Sequence, residues 1–257
     1  MKATRLWLTT IAALLFSLTA SAHNFEVKGI YYNITSATDL TVSVTFRGSS
    51  YDSYSNEYSG AVTIPSTVTY NSKTYSVTSI GRNAFYGCSN LTTITIPESV
   101  TSIGDVAFKN CSSLTSITIP ESVTSIGYEA FYDCSRLTAV HISDIAAWCN
   151  IYFDRSNSNP LYYAENLYLN GELVTDLAIP NTVTAIKSYA FDGCKSLTAI
   201  NIPEGVTSIG EWAFCNCSSL TAINIPESVT SIGSSAFSGC SRLTSITIPK
   251  SVTRIEN

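Results

Sequence analysis

Apolar and polar positions alternate along this chain in a pattern that returns. In Leu91-Thr92-Thr93-Ile94-Thr95-Ile96-Pro97, Ile94 and Ile96 alternate with Thr93 and Thr95. That is the period-two signature of a strand with one covered face. Pro97 has no N–H to give to a ladder and closes the strand. Val100 and Ile103 are spaced to turn the chain back over the same core. Ile103, Ala107, Phe108 and Cys111 then fall at i, i+4, i+5 and i+8, one face of a short helix. The segment predicts a strand, a turn, a short outer helix and a loop.

The same pattern restarts at Leu114, Leu197, Leu220 and Leu243. Phe85, Phe108 and Phe131, then Phe191, Phe214 and Phe237, mark a step of 23 residues within each trio. The unit reads L-x-x-I-x-I-P-x-x-V-x-x-I-G-x-x-A-F-x-x-C-x-x. One unit has too few core side chains to stand alone, so neighbouring units must stack and share a continuous core. The expected fold over 61–257 is an α/β solenoid of parallel strands with short outer helices. Residues 23–60 read as an all-β cap, with Lys28-Gly29 as a hairpin turn between Phe25–Val27 and Ile30–Ile34. An enlarged, irregular coil falls at 143–173. There Ser143-Asp144 can cap a short helix at 145–149, and Asn170-Gly171 is a strong hairpin-turn signal.

The A-F-x-x-C and I-P-E-S-V-T-S-I-G motifs over about 80–257 resemble the BspA-like leucine-rich repeats (leucine-rich repeat family 5) of bacterial secreted and surface proteins. The resemblance implies a curved leucine-rich-repeat stack with parallel strands inside the curve. It also implies a role in adhesion, through binding of host or other extracellular proteins.

Composition sharpens the class. Lys2 and Arg5, the apolar run Leu6–Leu18 and Ala20-Ser21-Ala22 together read as a signal peptide at 1–22 with an A-x-A cleavage site. No segment after it is apolar for long enough to span a membrane, so secretion or cell-surface placement is expected. Removing Lys2 and Arg5 from the 14 basic residues leaves 12 against 19 acidic ones. That acidic balance, with only 13% charged residues, excludes a nucleic-acid partner, whose phosphates demand clustered Lys and Arg.

Candidate chemistry is sparse. Cys88, Cys111, Cys134, Cys194, Cys217 and Cys240 share one repeat slot and are expected to pack as a ladder of buried thiols. His141-Ile142-Ser143-Asp144 sets three catalytic residue types close together, but nothing in the sequence supplies a base-nucleophile pair and an oxyanion site. No catalytic residue, metal centre or cofactor is assigned, and the protein is read as no enzyme. The binding candidates are the outward strand positions Thr93, Thr95, Ser116, Thr118, His141, Asp176, Asn201, Asn224, Ser245 and Thr247, a small, polar ribbon on the face expected to be concave. The aromatics of 143–173 admit two readings. They fill the extra volume of a larger coil, or Trp148, Tyr152, Tyr162 and Tyr163 form a protruding platform for a glycan.

Overall fold

A computed structural model describes residues 23–52 and 56–255; the proposed signal segment lies outside them. The chain winds as a parallel-stranded solenoid of about seven turns. Each regular coil lays down two short strands. The first, on Leu-x-x-Ile-x-Ile, runs in segments: Gly60–Thr63 pairs with Leu91–Thr95, and Ser116–Thr118 begins a second segment through Ala139–Ile142 and Leu167–Leu169. It resumes with Asp176–Ala178, Ala199–Asn201 and Ala222–Asn224. The second ladder, unforeseen in the sequence, uses the Ser-Ile pairs Ser102–Ile103, Ser125–Ile126, Ser208–Ile209 and Ser231–Ile232. Partners in both ladders lie one repeat apart, as in Ser102↔Ser125 and Ile200↔Ile223. The sequence period is therefore the stacking register, and identical side chains meet on adjacent coils.

That register explains the recurring small hydroxyls. Thr124 donates both its N–H and its Oγ1–H to the Thr101 carbonyl of the coil before, at 2.9 and 3.2 Å, and Thr207 and Thr230 repeat the bond. Ser122 Oγ reaches the Val100 carbonyl at 2.7 Å. Phe85, Phe108 and Phe131 stack at centroid spacings of 5.0 and 5.1 Å, and Phe191, Phe214 and Phe237 at 5.3 and 5.6 Å.

The outer arc departs from the expected helix: in regular coils it is a chain of turns. The N–H groups of Val106, Phe108 and Asn110 donate to Tyr128, Ala130 and Tyr132 of the next coil. Those of Ala107, Lys109 and Cys111 donate three residues back. Two residues per arc are left-handed, Val106 (φ 49°) and Asn110 (φ 64°), with equivalents at Tyr189, Trp212, Gly193 and Asn216. Left-handed residues interrupt an α-helix. Coils spaced about 5 Å apart on this side also leave no room for helices about 10 Å across. The helices among the described residues lie in the enlarged coil: α1 (Ile145–Cys149), α2 (Leu161–Ala164) and a 3₁₀ turn at Ser156–Ser158.

The glycine after each second strand answers to the same close stacking. A Cβ on Gly104 would sit 2.7 Å from the Arg82 amide nitrogen of the preceding coil, and one on Gly127 2.7 Å from that of Asp105. The six slot cysteines are buried and free. Four donate Sγ–H to the Phe carbonyl of the preceding coil, as Cys111 to Phe85 at 3.1 Å and Cys217 to Phe191 at 3.2 Å. Cys88 and Cys194, first in each trio, make no such bond.

At the N-terminal end, β1 (Phe25–Val27), β2 (Ile30–Ser36) and β3 (Thr41–Thr45) form an antiparallel unit. β3 then runs parallel to the long strand Lys73–Ile80 and extends the second ladder. Phe25, Tyr32, Tyr70 and Tyr75 pack over the first coil.

Candidate functional site

The strand face is built from outward positions of the first ladder. Thr93, Thr95, Thr118, Asp176, Asn201 and Asn224 are exposed, and Ser116 and His141 are half-buried. Ser245 and Thr247 are exposed as well, but the ladder ends at Ala222–Asn224 and they stand on irregular backbone rather than on the expected strand. Their intervening neighbours Ile94, Ile117, Val140, Leu177 and Ile200 are core. Inter-strand bonding uses the backbone, so this face offers a partner hydroxyl and amide side chains. Its chemistry changes at the middle. His141 lies opposite Tyr168 in the parallel pairing, and the two rings stack at 4.8 Å and 28°. Tyr168 is brought there by the hairpin whose tip is Asn170 (φ 51°) and Gly171 (φ 89°). Tyr168 thus joins the face as a member that the outward-position pattern did not include.

The His141-Ile142-Ser143-Asp144 run disperses. Asp144 accepts the Ala147 N–H at 2.7 Å as the N-cap of α1, while His141 is turned onto Tyr168. Among the described residues, no three His, Cys, Asp or Glu side chains converge where a metal could sit. Burial pushes the Cys134 and Cys149 thiols up to about 12 and the Cys88 thiol up to about 11, which keeps them protonated rather than nucleophilic.

The enlarged coil separates the aromatics that the sequence grouped. Trp148 is only 1% exposed, so it cannot belong to a surface platform. It packs on Phe153 and donates Nε1–H to the Ala190 carbonyl at 2.8 Å. An apolar helix face turned inward is why: Ile145, Trp148 and Cys149 are the buried residues of α1. Tyr152 and Tyr162 are exposed, at 60% and 44%, and Tyr163 is half-buried against Tyr132 and Tyr162.

The insertion also couples the two repeat blocks. The Cys149 carbonyl accepts Lys187 N–H at 3.1 Å, in place of the isoleucine carbonyl that accepts from Gly104, Gly127, Gly210 and Gly233 in this slot. Asn159 donates to the Tyr189 and Ala190 carbonyls, and Glu165 pairs with Lys195. Asp192, fully buried, accepts from Ser156 Oγ and from Asn216 Nδ2, and burial raises its carboxyl to about 6.

Opposite the strand face, the outer arc carries larger groups. Tyr128 and Tyr132 are exposed; Arg155 lies over the Tyr128 ring at 5.3 Å and Lys109 over the Tyr132 ring at 4.6 Å. Asp154, Arg155, Ser156, Tyr189, Glu211 and Trp212 line an open cleft of about 480 Å³. Sequence reasoning passed over Tyr189 and Trp212. Their signal was there to find: their slot holds Asn83, Val106, Glu129 and Ser235 in other coils, so no repeat requirement accounts for aromatics.

Parallel strands stacked at a 23-residue step over an aliphatic and phenylalanine core define a leucine-rich-repeat solenoid. The repeats match the BspA type leucine rich repeat region, in six copies over residues 66–169 and 162–257, and the chain belongs to that family. Among solved structures, a leucine-rich repeat protein from Bacteroides ovatus is 29% identical with a TM-score of 0.60. The match covers 91% of this chain and 56% of that one, so this chain spans little more than half of that relative. A leucine-rich repeat protein of T. pallidum is 27% identical with a TM-score of 0.54, over 85% of this chain and 90% of that one. No curated protein matches the chain.

Proposed function

We propose that the protein is a secreted or cell-surface, non-enzymatic binding protein, an adhesin that engages an extracellular or host protein through its strand face. BspA-type repeat proteins are typically surface or secreted, and no helix among the described residues is long and apolar enough to cross a membrane. The observation that carries the reading is the exposed ribbon itself: outward Thr, Ser and Asn side chains stand at one repeat spacing on the stacked strands. Such a surface has few of the Trp, Tyr or Arg anchors that dominate tight interfaces. Affinity per contact is therefore modest, and strength comes from length and multivalency. His141, Tyr168 and Asp176 break the uniform ribbon and set the specific patch.

The test is binding of the purified protein to a panel of immobilised extracellular-matrix proteins at physiological salt. Saturable binding that falls at least tenfold in Thr118→Arg and Asn201→Arg supports the reading. Silence across the panel, or binding indifferent to both variants, contradicts it.

A further inference from the structure

The outer-arc cleft lies on the side of each coil away from the strand ribbon, and its lining has a different chemistry. Tyr189 and Trp212 occupy the same slot of adjacent coils, tied by the Tyr189 N–H to the Glu211 carbonyl at 2.9 Å. Both rings are half-exposed. The slot adopts its left-handed conformation with any residue: φ is 59° at Asn83, 49° at Val106, 66° at Tyr189, 56° at Trp212 and 53° at Ser235. Neighbouring aromatics here are therefore additions to the fold rather than parts of it.

The rest of the cleft comes from the insertion and from Glu211. Asp154 and Glu211 present carboxylates, Arg155 a guanidinium and Ser156 a hydroxyl, which Asp192 fixes from below. The cleft is shallow and open to solvent, so a ligand there would be held on one face by its lining side chains rather than enclosed. Two carboxylates against one guanidinium disfavour an anion. An extended peptide finds no strand edge, because the arc's N–H groups are spent on the next coil, as Tyr189 on Glu211 and Trp212 on Ser234. What remains complementary is a ring with an apolar C–H face for the aromatics and vicinal hydroxyls for the planar carboxylate and guanidinium groups.

We propose that the cleft formed by Tyr189, Trp212, Asp154, Arg155, Ser156 and Glu211 is a binding site for a neutral sugar ring, separate from the strand-face interface. Tyr189 and Trp212 form its floor, and Glu211 and Arg155 bond paired hydroxyls. Trp148 takes no part, being buried in the core.

The experiment presents the purified protein to an array of neutral, sialylated and sulfated oligosaccharides, then titrates hits by tryptophan fluorescence and calorimetry. Trp212→Ser and Tyr189→Asn place residues that this slot already holds at Ser235 and Asn83, so both variants keep the fold. The expected result is saturable binding of a neutral hexose-containing oligosaccharide, weakened tenfold or more by either substitution. Asn201→Arg, on the strand face, leaves it unchanged, so this site and the strand-face interface fail or stand independently. No saturable response to any neutral oligosaccharide, a response untouched by both variants, or a preference for the anionic sugars would each overturn the site.

Discussion

The two sides of each coil answer different physical demands. On the strand face, alternation sends every second residue outward, and the outward residues are nearly all small: Thr, Ser, Ala and Asn. On the outer arc, the backbone bonds alternately to its own coil and to the next, through two left-handed residues, and the outward side chains include tyrosines, a tryptophan and paired charges. Both sides are equally repetitive in backbone. Comparing coils separates what the repeat requires from what it permits. Glycine beside the preceding backbone, phenylalanine in the core and cysteine under a carbonyl are requirements. Tyr189, Trp212, His141 and Tyr168 are not, and such positions are where binding can be written into the fold.

The largest expected effect breaks the junction between the blocks. Trp148→Ala removes a core indole and its bond to Ala190. It should cost about 3–5 kcal/mol in denaturant unfolding. A loss below about 1 kcal/mol would mean that the blocks do not depend on this side chain. Gly104→Ala comes next. The added methyl meets Arg82 backbone rather than a movable side chain, for a cost of about 1–3 kcal/mol. Lys187 stands in the same slot, but the backbone before it is the end of α1, and a Lys187→Ala variant should unfold like the parent.

Asp192 gives a smaller effect with a defined sign. Burial raises its carboxyl from 3.8 to about 6, so the native state holds this proton more tightly than the unfolded chain does. The resulting stabilisation is full below about pH 4 and is lost as pH rises through 6. Moving from pH 7.5 to 5 should return about 1 kcal/mol at this group, and Asp192→Asn should flatten that part of the stability–pH profile. An unchanged slope in the variant would remove Asp192 as its source. The smallest effect belongs to the ribbon: Thr118→Ala should alter stability by less than about 0.5 kcal/mol, since the side chain is exposed. A larger loss would show that the outward positions hold the fold together.

Much of this was legible in the sequence, for reasons that particular residues make plain. Ile94 and Ile96 beside Thr93 and Thr95 gave the first ladder, and the 23-residue landmarks gave its register. Ser143-Asp144 did mark the start of α1, and Asn170-Gly171 the hairpin. The second ladder was missed because Ser102–Ile103 is too short for any alternation to register. The outer helix was a false match. Ile103, Ala107, Phe108 and Cys111 share one side at helical spacing, yet Gly87, Asn110, Asp133, Gly193, Asn216 and Gly239 recur in one slot, the residue types that enter left-handed backbone. Trp148 could not be told from Tyr152 by composition. Only the packing of α1 against the next coil decides which aromatic is core and which is surface.

In the proposed function the strand ribbon binds the protein partner and the outer arc has no share in it. The most direct test measures Asn201→Arg and Trp212→Ser side by side against the same immobilised matrix proteins. Asn201→Arg is expected to lose at least tenfold in binding and Trp212→Ser to keep the parental level. Parental binding by Asn201→Arg together with loss in Trp212→Ser would contradict this and move the protein interface to the outer arc.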